Sequence, residues 1–176
     1  MVTEQDKTLA AIQTAIQMEI DGKEYYHQLS QSSSSQRGRE LFQTLAAEED
    51  IHRQKFEEIY SNIRNKKTWP KTDLYSDRGK RLRTIFAKAT EEMGANVKVP
   101  ATELDAIQTA MGMENKTYDF YKSQSQNATY DAERDYYEAL AAEERGHYLV
   151  LLDYHEYLSD PAGWFVKKEH PSLDGG

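Results

Sequence analysis

The sequence contains no cysteine among its 176 residues. This absence excludes disulfide bonds, thiolate nucleophiles, zinc fingers and iron–sulfur clusters as sources of structure or chemistry in the chain. It also fits a reducing compartment, which favours a cytoplasmic location.

Long apolar runs and an excess of basic residues are absent as well. The longest apolar run is YLVLL at 148–152, whereas a membrane-spanning helix needs about 20 apolar residues. The first residues, MVTEQDKTLAAIQ, show no basic segment followed by an apolar stretch, so no secretion signal is expected. The formal net charge of −8 argues against nucleic acid or anionic lipid as a partner, because both attract basic surfaces. We therefore expect a soluble cytoplasmic protein.

Proline is scarce, and it occurs only at positions 70, 100, 161 and 171. None of these interrupts 1–69 or 101–160, where apolar residues recur at the three- and four-residue spacing of amphipathic helices. A serine-containing segment divides each stretch, SQSSSSQRG in the first and SQSQNATYD in the second. The predicted helices are therefore about 4–29, 37–66, 102–123 and 130–158.

The segment 67–101 between the second and third helices contains turn signals at both ends. TWPKTD and GANVKVP are typical of turns, and LRTIFAKA between them indicates a short helix at about 77–92. The segment can run the length of a helix of about 30 residues, or about 45 Å, so one long crossover is expected. The tail 159–176 contains too many helix breakers for a helix, and we expect Trp164 and Phe165 to pin it to the bundle.

The sequence repeats itself at an offset of 95 residues. LAAEEDIH at 45–52 returns as LAAEERGH at 140–147, and AIQTAIQMEIDGKEYY at 11–26 returns as AIQTAMGMENKTYDFY at 106–121. The first predicted helix thus matches the third, and the second matches the fourth. Two such hairpins predict an all-α four-helix bundle with an internal pseudo-twofold axis, which we expect to form a single domain over 1–176.

Polar side chains fall in each half where the core-facing stripe of a helix is otherwise apolar. Glu49 and His52 are three residues apart, about 60° around a helix, and therefore share one face. Glu144 and His147 have the same spacing, and a further glutamate lies 30 residues before Glu49 and before Glu144. The six residues expected in the interior are Glu19, Glu49, His52, Glu114, Glu144 and His147.

The four carboxylates of this set indicate a metal site. Each buried carboxylate costs several kcal/mol unless it is paired or binds a metal, and no lysine or arginine lies on these stripes. Two divalent cations would balance the four negative charges. Imidazole and carboxylate ligands suit two iron ions, with manganese or zinc as substitutes. One glutamate from each of two helices and Glu-x-x-His from the other two is the ligand pattern of di-iron and di-manganese bundles.

The chain resembles the rubrerythrin-type, ferritin-like di-iron carboxylate proteins, through MEIDGKEYY with EEDIH and MENKTYDFY with EERGH. By this resemblance Glu19 and Glu114 are terminal ligands, while the glutamates of the two Glu-x-x-His pairs bridge the metals and each histidine caps one metal. The resemblance also implies that Tyr26 and Tyr121 are hydrogen-bond partners of the ligands.

Two features depart from the family pattern. Rubrerythrins of the peroxidase type carry a cysteine-ligated, rubredoxin-like iron domain, so a chain without cysteine is expected to use an external electron donor such as a rubredoxin or a ferredoxin. They also carry an extra glutamate three residues after the ligand of the third helix. This sequence has Thr117 there, and Gly22 at the equivalent position of the first half.

The resemblance implies an oxidoreductase that reduces hydrogen peroxide or O₂ at the di-metal site, as in a response to oxidative stress, and a homodimer. No separate catalytic acid or base is assigned. Two alternatives stay open: an iron-binding protein with a ferroxidase or iron-storage function, and a non-catalytic bundle in which the metal is structural or which serves as a partner-binding or sensory module.

Other polar residues are expected outside the metal site. Glu24 and His27 form a further Glu-x-x-His pair, but this pair is not repeated at the offset of 95. Since Glu24 also lies about 140° around the helix from Glu19, we expect it at the surface. Glu48 and Glu143 are repeated, but they lie about 100° from the neighbouring glutamates, so a solvated helix face is favoured over a role as ligands.

Overall fold

The structure, a computed structural model, describes residues 1–66, 68–72, 77 and 79–169. In these ranges the chain forms helices and no strand, in the order α1 (Glu4–Ser32), α2 (Gln36–Lys66), α3 (Lys80–Met93), α4 (Ala101–Gln126), α5 (Asp131–Ser159) and α6 (Pro161–Glu169). The prediction of an all-α bundle is confirmed. None of these helices is long and apolar enough to cross a membrane. That the chain forms one domain stays a prediction.

Short-range side-chain hydrogen bonds fix where α1 and α5 begin. The amide of Asp6 donates to Thr3 Oγ1 at 3.1 Å, and the amide of Thr3 donates to Asp6 Oδ2 at 2.9 Å, which together form a capping box. Before α5, the carboxylate of Glu133 accepts from the amides of Thr129 and Tyr130. These bonds satisfy backbone donors that have no partner within the first turn of a helix.

The long helices pair as the repeat predicted. α1 packs along α2 and α4 packs along α5, and the two hairpins meet where α1 contacts α4. Across the other face, α2 and α5 meet through aromatic side chains, such as Phe42 with Tyr154 and Phe56 with Tyr137, at ring-centroid distances of 6.0 and 5.9 Å. The four helices thus enclose one interior.

The crossover runs from one end of the bundle to the other, as predicted. The end of α2 lies beside the start of α1, where Gln5 Nε2 donates to the carbonyl oxygen of Ile63 at 3.2 Å. The start of α4 lies beside the end of α1, where Ser33 Oγ donates to Glu103 Oε1 at 3.1 Å. The short helix predicted in the crossover is confirmed as α3, which packs against α2 and α5. Residues 67, 73–76 and 78 of the predicted crossover lie outside the described residues.

The prediction that the tail contains no helix is wrong for 161–169, which form α6. Pro161 occupies the first helical position, where its lack of an N–H removes no hydrogen bond. Asp160 caps the helix, because its Oδ1 accepts from the amide of Gly163 at 3.0 Å. The expected pinning is confirmed, since Trp164 lies 5.4 Å from Phe86 between ring centroids. Residues 170–176 lie outside the described residues.

The apolar core forms two clusters, one toward each end of the bundle. The cluster near the α1–α2 turn contains Leu29, Leu41, Phe42, Leu151 and Tyr154. The cluster near the α4–α5 turn contains Ile12, Phe56, Ile59, Tyr121 and Tyr137. On each of the four long helices, the predicted ligand residues lie between these clusters in the sequence. The interior therefore has apolar material above and below one polar layer.

Candidate metal centre

All six predicted ligand residues converge in this polar layer, and each is at most 3% exposed. Their facing ligand atoms form two groups, and within each group every atom lies within 4.8 Å of the others. One group is Glu19, Glu49, His52 and Glu144, and the other is Glu49, Glu114, Glu144 and His147. Glu49 and Glu144 belong to both groups, which is the arrangement that two neighbouring cations with shared carboxylates require.

Each of the six residues presents one buried polar atom that makes no hydrogen bond to the part of the chain that the structure describes. These atoms are Glu19 Oε2, Glu49 Oε1, His52 Nδ1, Glu114 Oε2, Glu144 Oε1 and His147 Nδ1. An unsatisfied buried polar atom costs about 1–3 kcal/mol. Ion-pair contacts of 3.0–3.6 Å between the two Nδ1 atoms and these carboxylate oxygens offset part of this cost. Four carboxylates and two imidazoles that face one another also fit the donor set of a metal site.

The outer nitrogens of the two histidines are held by carboxylates of the opposite hairpin. His52 Nε2 lies 2.5 Å from Glu143 Oε2, and His147 Nε2 lies 2.8 Å from Glu48 Oε2. A proton on Nε2 that is donated to the carboxylate leaves the lone pair on Nδ1, which points to the other ligand atoms. Each glutamate thus sets the ring orientation that metal binding requires.

The prediction of a solvated helix face for Glu48 and Glu143 is therefore wrong. Their side chains are only 21% and 14% exposed, because they lie on the edges of α2 and α5 that face each other. Their repetition at the offset of 95 was the sequence signal for this role. The further Glu-x-x-His pair lies at the surface, as predicted for Glu24: both Glu24 and His27 are exposed.

Two buried tyrosines link the halves of the bundle. The hydroxyl of Tyr26 donates to Glu114 Oε1, and the hydroxyl of Tyr121 donates to Glu19 Oε1. The resemblance implied that these tyrosines bond to ligands, and each one bonds to the glutamate of the other half. Burial and the charge of the accepting carboxylate raise the pKa of both phenols well above the usual value, so both remain protonated donors.

Burial and mutual repulsion shift the ionisation of the centre. Burial raises the pKa of Glu49 and of Glu144 well above the usual value, and neighbouring carboxylates add to the effect. Burial disfavours the charged form of both histidines, but the surrounding carboxylates outweigh it and raise the pKa of His52 and His147. Burial likewise opposes ionisation of Glu114, yet its contact with His147 lowers its pKa. Protons and cations thus compete for the same atoms.

Thr117, which departs from the family pattern, and Gly22, its equivalent in the first half, lie against the centre on its α1–α4 side. At Gly22, an added Cβ would lie 3.1 Å from Glu49 Oε2, so glycine allows this carboxylate to approach the backbone of α1. Thr117 is 9% exposed, and its Oγ1 donates to the carbonyl oxygen of Met113 at 3.0 Å. Thr117 is thus satisfied within its own helix and supplies no carboxylate to the centre.

The family model described as Rubrerythrin matches residues 11–154 of the chain. The matched range includes all six predicted ligand residues and ends before α6. Neither the curated proteins nor the solved structures compared with the chain gave a match.

Proposed function

The chain belongs to the rubrerythrin family, and from this premise we propose that it is a di-iron oxidoreductase that reduces hydrogen peroxide or O₂. The observation that carries the proposal is the pair of buried ligand groups that share Glu49 and Glu144. An external protein of the rubredoxin or ferredoxin class supplies the electrons. The homodimer and the cytoplasmic location stay predictions.

We assign the ligand roles from the two groups. Glu19 and His52 would hold one iron, Glu114 and His147 would hold the other, and Glu49 and Glu144 would be shared by both. The donor set supports iron, because carboxylate oxygens outnumber imidazole nitrogens. Two divalent cations also match the charge of the four carboxylates, whose ion-pair partners among the described residues are the two histidines and no lysine or arginine.

When bound, the two irons supply redox electrons and positions at which an oxygen species binds. The chain's own residues orient and protect this site. Glu143 and Glu48 hold the imidazoles with Nδ1 turned inward, and Tyr26 and Tyr121 restrain the terminal carboxylates while they retain a proton on each phenol oxygen. The apolar clusters on both sides limit water, which strengthens electrostatic interactions within the centre.

The test is peroxide consumption by iron-loaded protein with a reduced donor of the rubredoxin or ferredoxin class. We expect donor oxidation that depends on peroxide and that His147→Ala abolishes. His27→Ala is the matched control, since His27 also ends a Glu-x-x-His sequence but is exposed. Iron uptake far above two per chain without donor oxidation would favour storage instead. A peroxide-insensitive metal whose removal unfolds the bundle would favour a structural role.

A further inference from the structure

Two faces of the bundle approach the candidate centre, and on the α2–α5 face the two histidine side chains, which are described in full, lie in front of the ligand atoms. A cavity of about 260 Å³ lies there, beneath the start of α3, and its walls include His52, His147, Glu48 and Glu143. The imidazole rings and their carboxylate partners stand between this cavity and the inward Nδ1 atoms. A molecule in the cavity therefore meets the outer edges of the histidines and not the ligand atoms.

The α1–α4 face offers a more direct approach to the carboxylates. A small inner cavity of about 10 Å³ lies against Glu49, Glu114 and Glu144. This volume is near the lower limit for one water-sized molecule. Gly22 and Thr117 also line it, and small side chains at these two positions leave this space beside the ligands.

An outer groove of about 450 Å³ lies on the same face and opens to solvent. The groove and the inner cavity have three lining residues in common, Met18, Met113 and Thr117. These three side chains therefore separate the solvent-filled groove from the space beside the carboxylates. Met18 and Met113 are related by the offset of 95 and are both half-buried, so the two halves of the repeat contribute equivalently.

We infer that small oxidants reach the metals through the α1–α4 face, and that Met18 and Met113 form a gate that selects them by size. This inference rests on the proposed function and adds the route and the substrate class, which is hydrogen peroxide or O₂ and not an organic hydroperoxide. Methionine side chains are unbranched and adapt their shape, so small rotations admit a molecule of two oxygen atoms. The inner cavity is near the size of one water molecule, so the small rotations that admit two oxygen atoms do not make room for the carbon skeleton of an alkyl hydroperoxide.

The first test compares hydrogen peroxide with tert-butyl hydroperoxide in stopped-flow oxidation of the ferrous protein. Truncation in Met18→Ala or Met113→Ala should raise the rate ratio of the alkyl to the inorganic peroxide by about tenfold, the lower end of the discrimination that one methylene gives in an apolar pocket. Thr117→Leu fills the inner cavity and should slow both peroxides. Met111→Ala is the matched control, because Met111 is also half-buried on α4 but packs against the apolar core.

Metal content and melting temperature establish that each variant is folded and loaded. An unchanged rate ratio in both Met18→Ala and Met113→Ala would overturn the gate, as would an equal rise in Met111→Ala. If loaded wild-type protein reacts with neither peroxide nor O₂, the proposed function fails, and the route is then decided by a measurement that needs no reaction.

That measurement is the diffraction of krypton-pressurised crystals of iron-free protein. We expect krypton in the inner cavity of Met113→Ala, where truncation enlarges it. We expect none there in Thr117→Leu or in the wild type, whose cavity of about 10 Å³ is near the lower limit for one water-sized molecule. Krypton found only beneath α3, beside Glu48 and Glu143, would overturn the route.

Discussion

Loss of Glu143 should weaken one metal position and spare the other. Glu143 Oε2 lies 2.5 Å from His52 Nε2, which we assign to the same metal as Glu19. A hydrogen bond to a charged group contributes about 1.5–3 kcal/mol, and loss of a partner behind a metal-bound histidine lowers metal affinity about 10- to 100-fold. Since tenfold corresponds to about 1.4 kcal/mol, the two figures agree.

The assay is a competitive titration of Co²⁺ or anaerobic Fe²⁺ against a chelator. Glu143→Gln should weaken the first position by about 10- to 100-fold, and Glu48→Gln should do the same at the position of His147. Glu138→Gln on the exposed face of α5 is the control. Affinities within about threefold of the wild type in both variants, a small change by the standard of such partners, would refute the reasoning, as would an equal loss in Glu138→Gln.

Two further predictions concern the pH dependence of the melting temperature and the effect of one buried hydroxyl group on metal affinity. Iron-free protein should melt at a higher temperature as the pH falls from about 8 to about 5.5, because the raised pKa values of Glu49, Glu144 and the two histidines give a stabilisation that is lost as pH rises through them. The lowered pKa of Glu114 keeps this carboxyl ionised in both the folded and the unfolded protein across this range, so it does not change the slope. Calorimetry that shows the reverse slope would contradict the prediction. Tyr121→Phe should lower metal affinity about tenfold at the position of Glu19, measured by the same titration, and an unaltered affinity would show that the hydroxyl does not restrain Glu19.

The helices and the convergence of six buried glutamates and histidines could be predicted from the sequence, because two independent patterns agreed. Helical periodicity placed Glu19, Glu49 and His52 on core-facing stripes, and the offset of 95 repeated them in the second half. A solvated pair such as Glu24 and His27 satisfies neither condition. The repeat within the chain thus distinguishes the buried Glu-x-x-His pairs from the pair at the surface.

The roles of Glu48 and Glu143 could not be predicted from helical angles alone. Each of these residues lies about 100° around its helix from the neighbouring core glutamate, and therefore at the edge of the core-facing stripe. The angle does not indicate which neighbouring helix faces that edge. In the fold, the edge faces the opposite hairpin, and the glutamate side chain reaches a histidine there. The hydrogen bonds that Tyr26 and Tyr121 donate to the glutamates of the opposite halves depend on the α1–α4 contact in the same way.

The start of α6 was missed because Pro161 was interpreted as a breaker. Proline ends a helix when it lies in the interior, but it is favoured at the first position. The residue before it, Asp160, is a good N-cap, and its bond to the amide of Gly163 confirms this function. The order Asp-Pro was therefore a start signal.

The central claim is a dinuclear centre built by the two Glu-x-x-His pairs, and metal analysis after anaerobic loading with Fe²⁺ tests it most directly. We predict two irons per wild-type chain, and a clear loss of bound iron in Glu49→Ala and Glu144→Ala, since each removes a ligand shared by both metals. Glu24→Ala should retain both irons. Fewer than about one iron per chain, unchanged in the Glu49 and Glu144 variants, would contradict the claim, because such loading could not come from a dinuclear site.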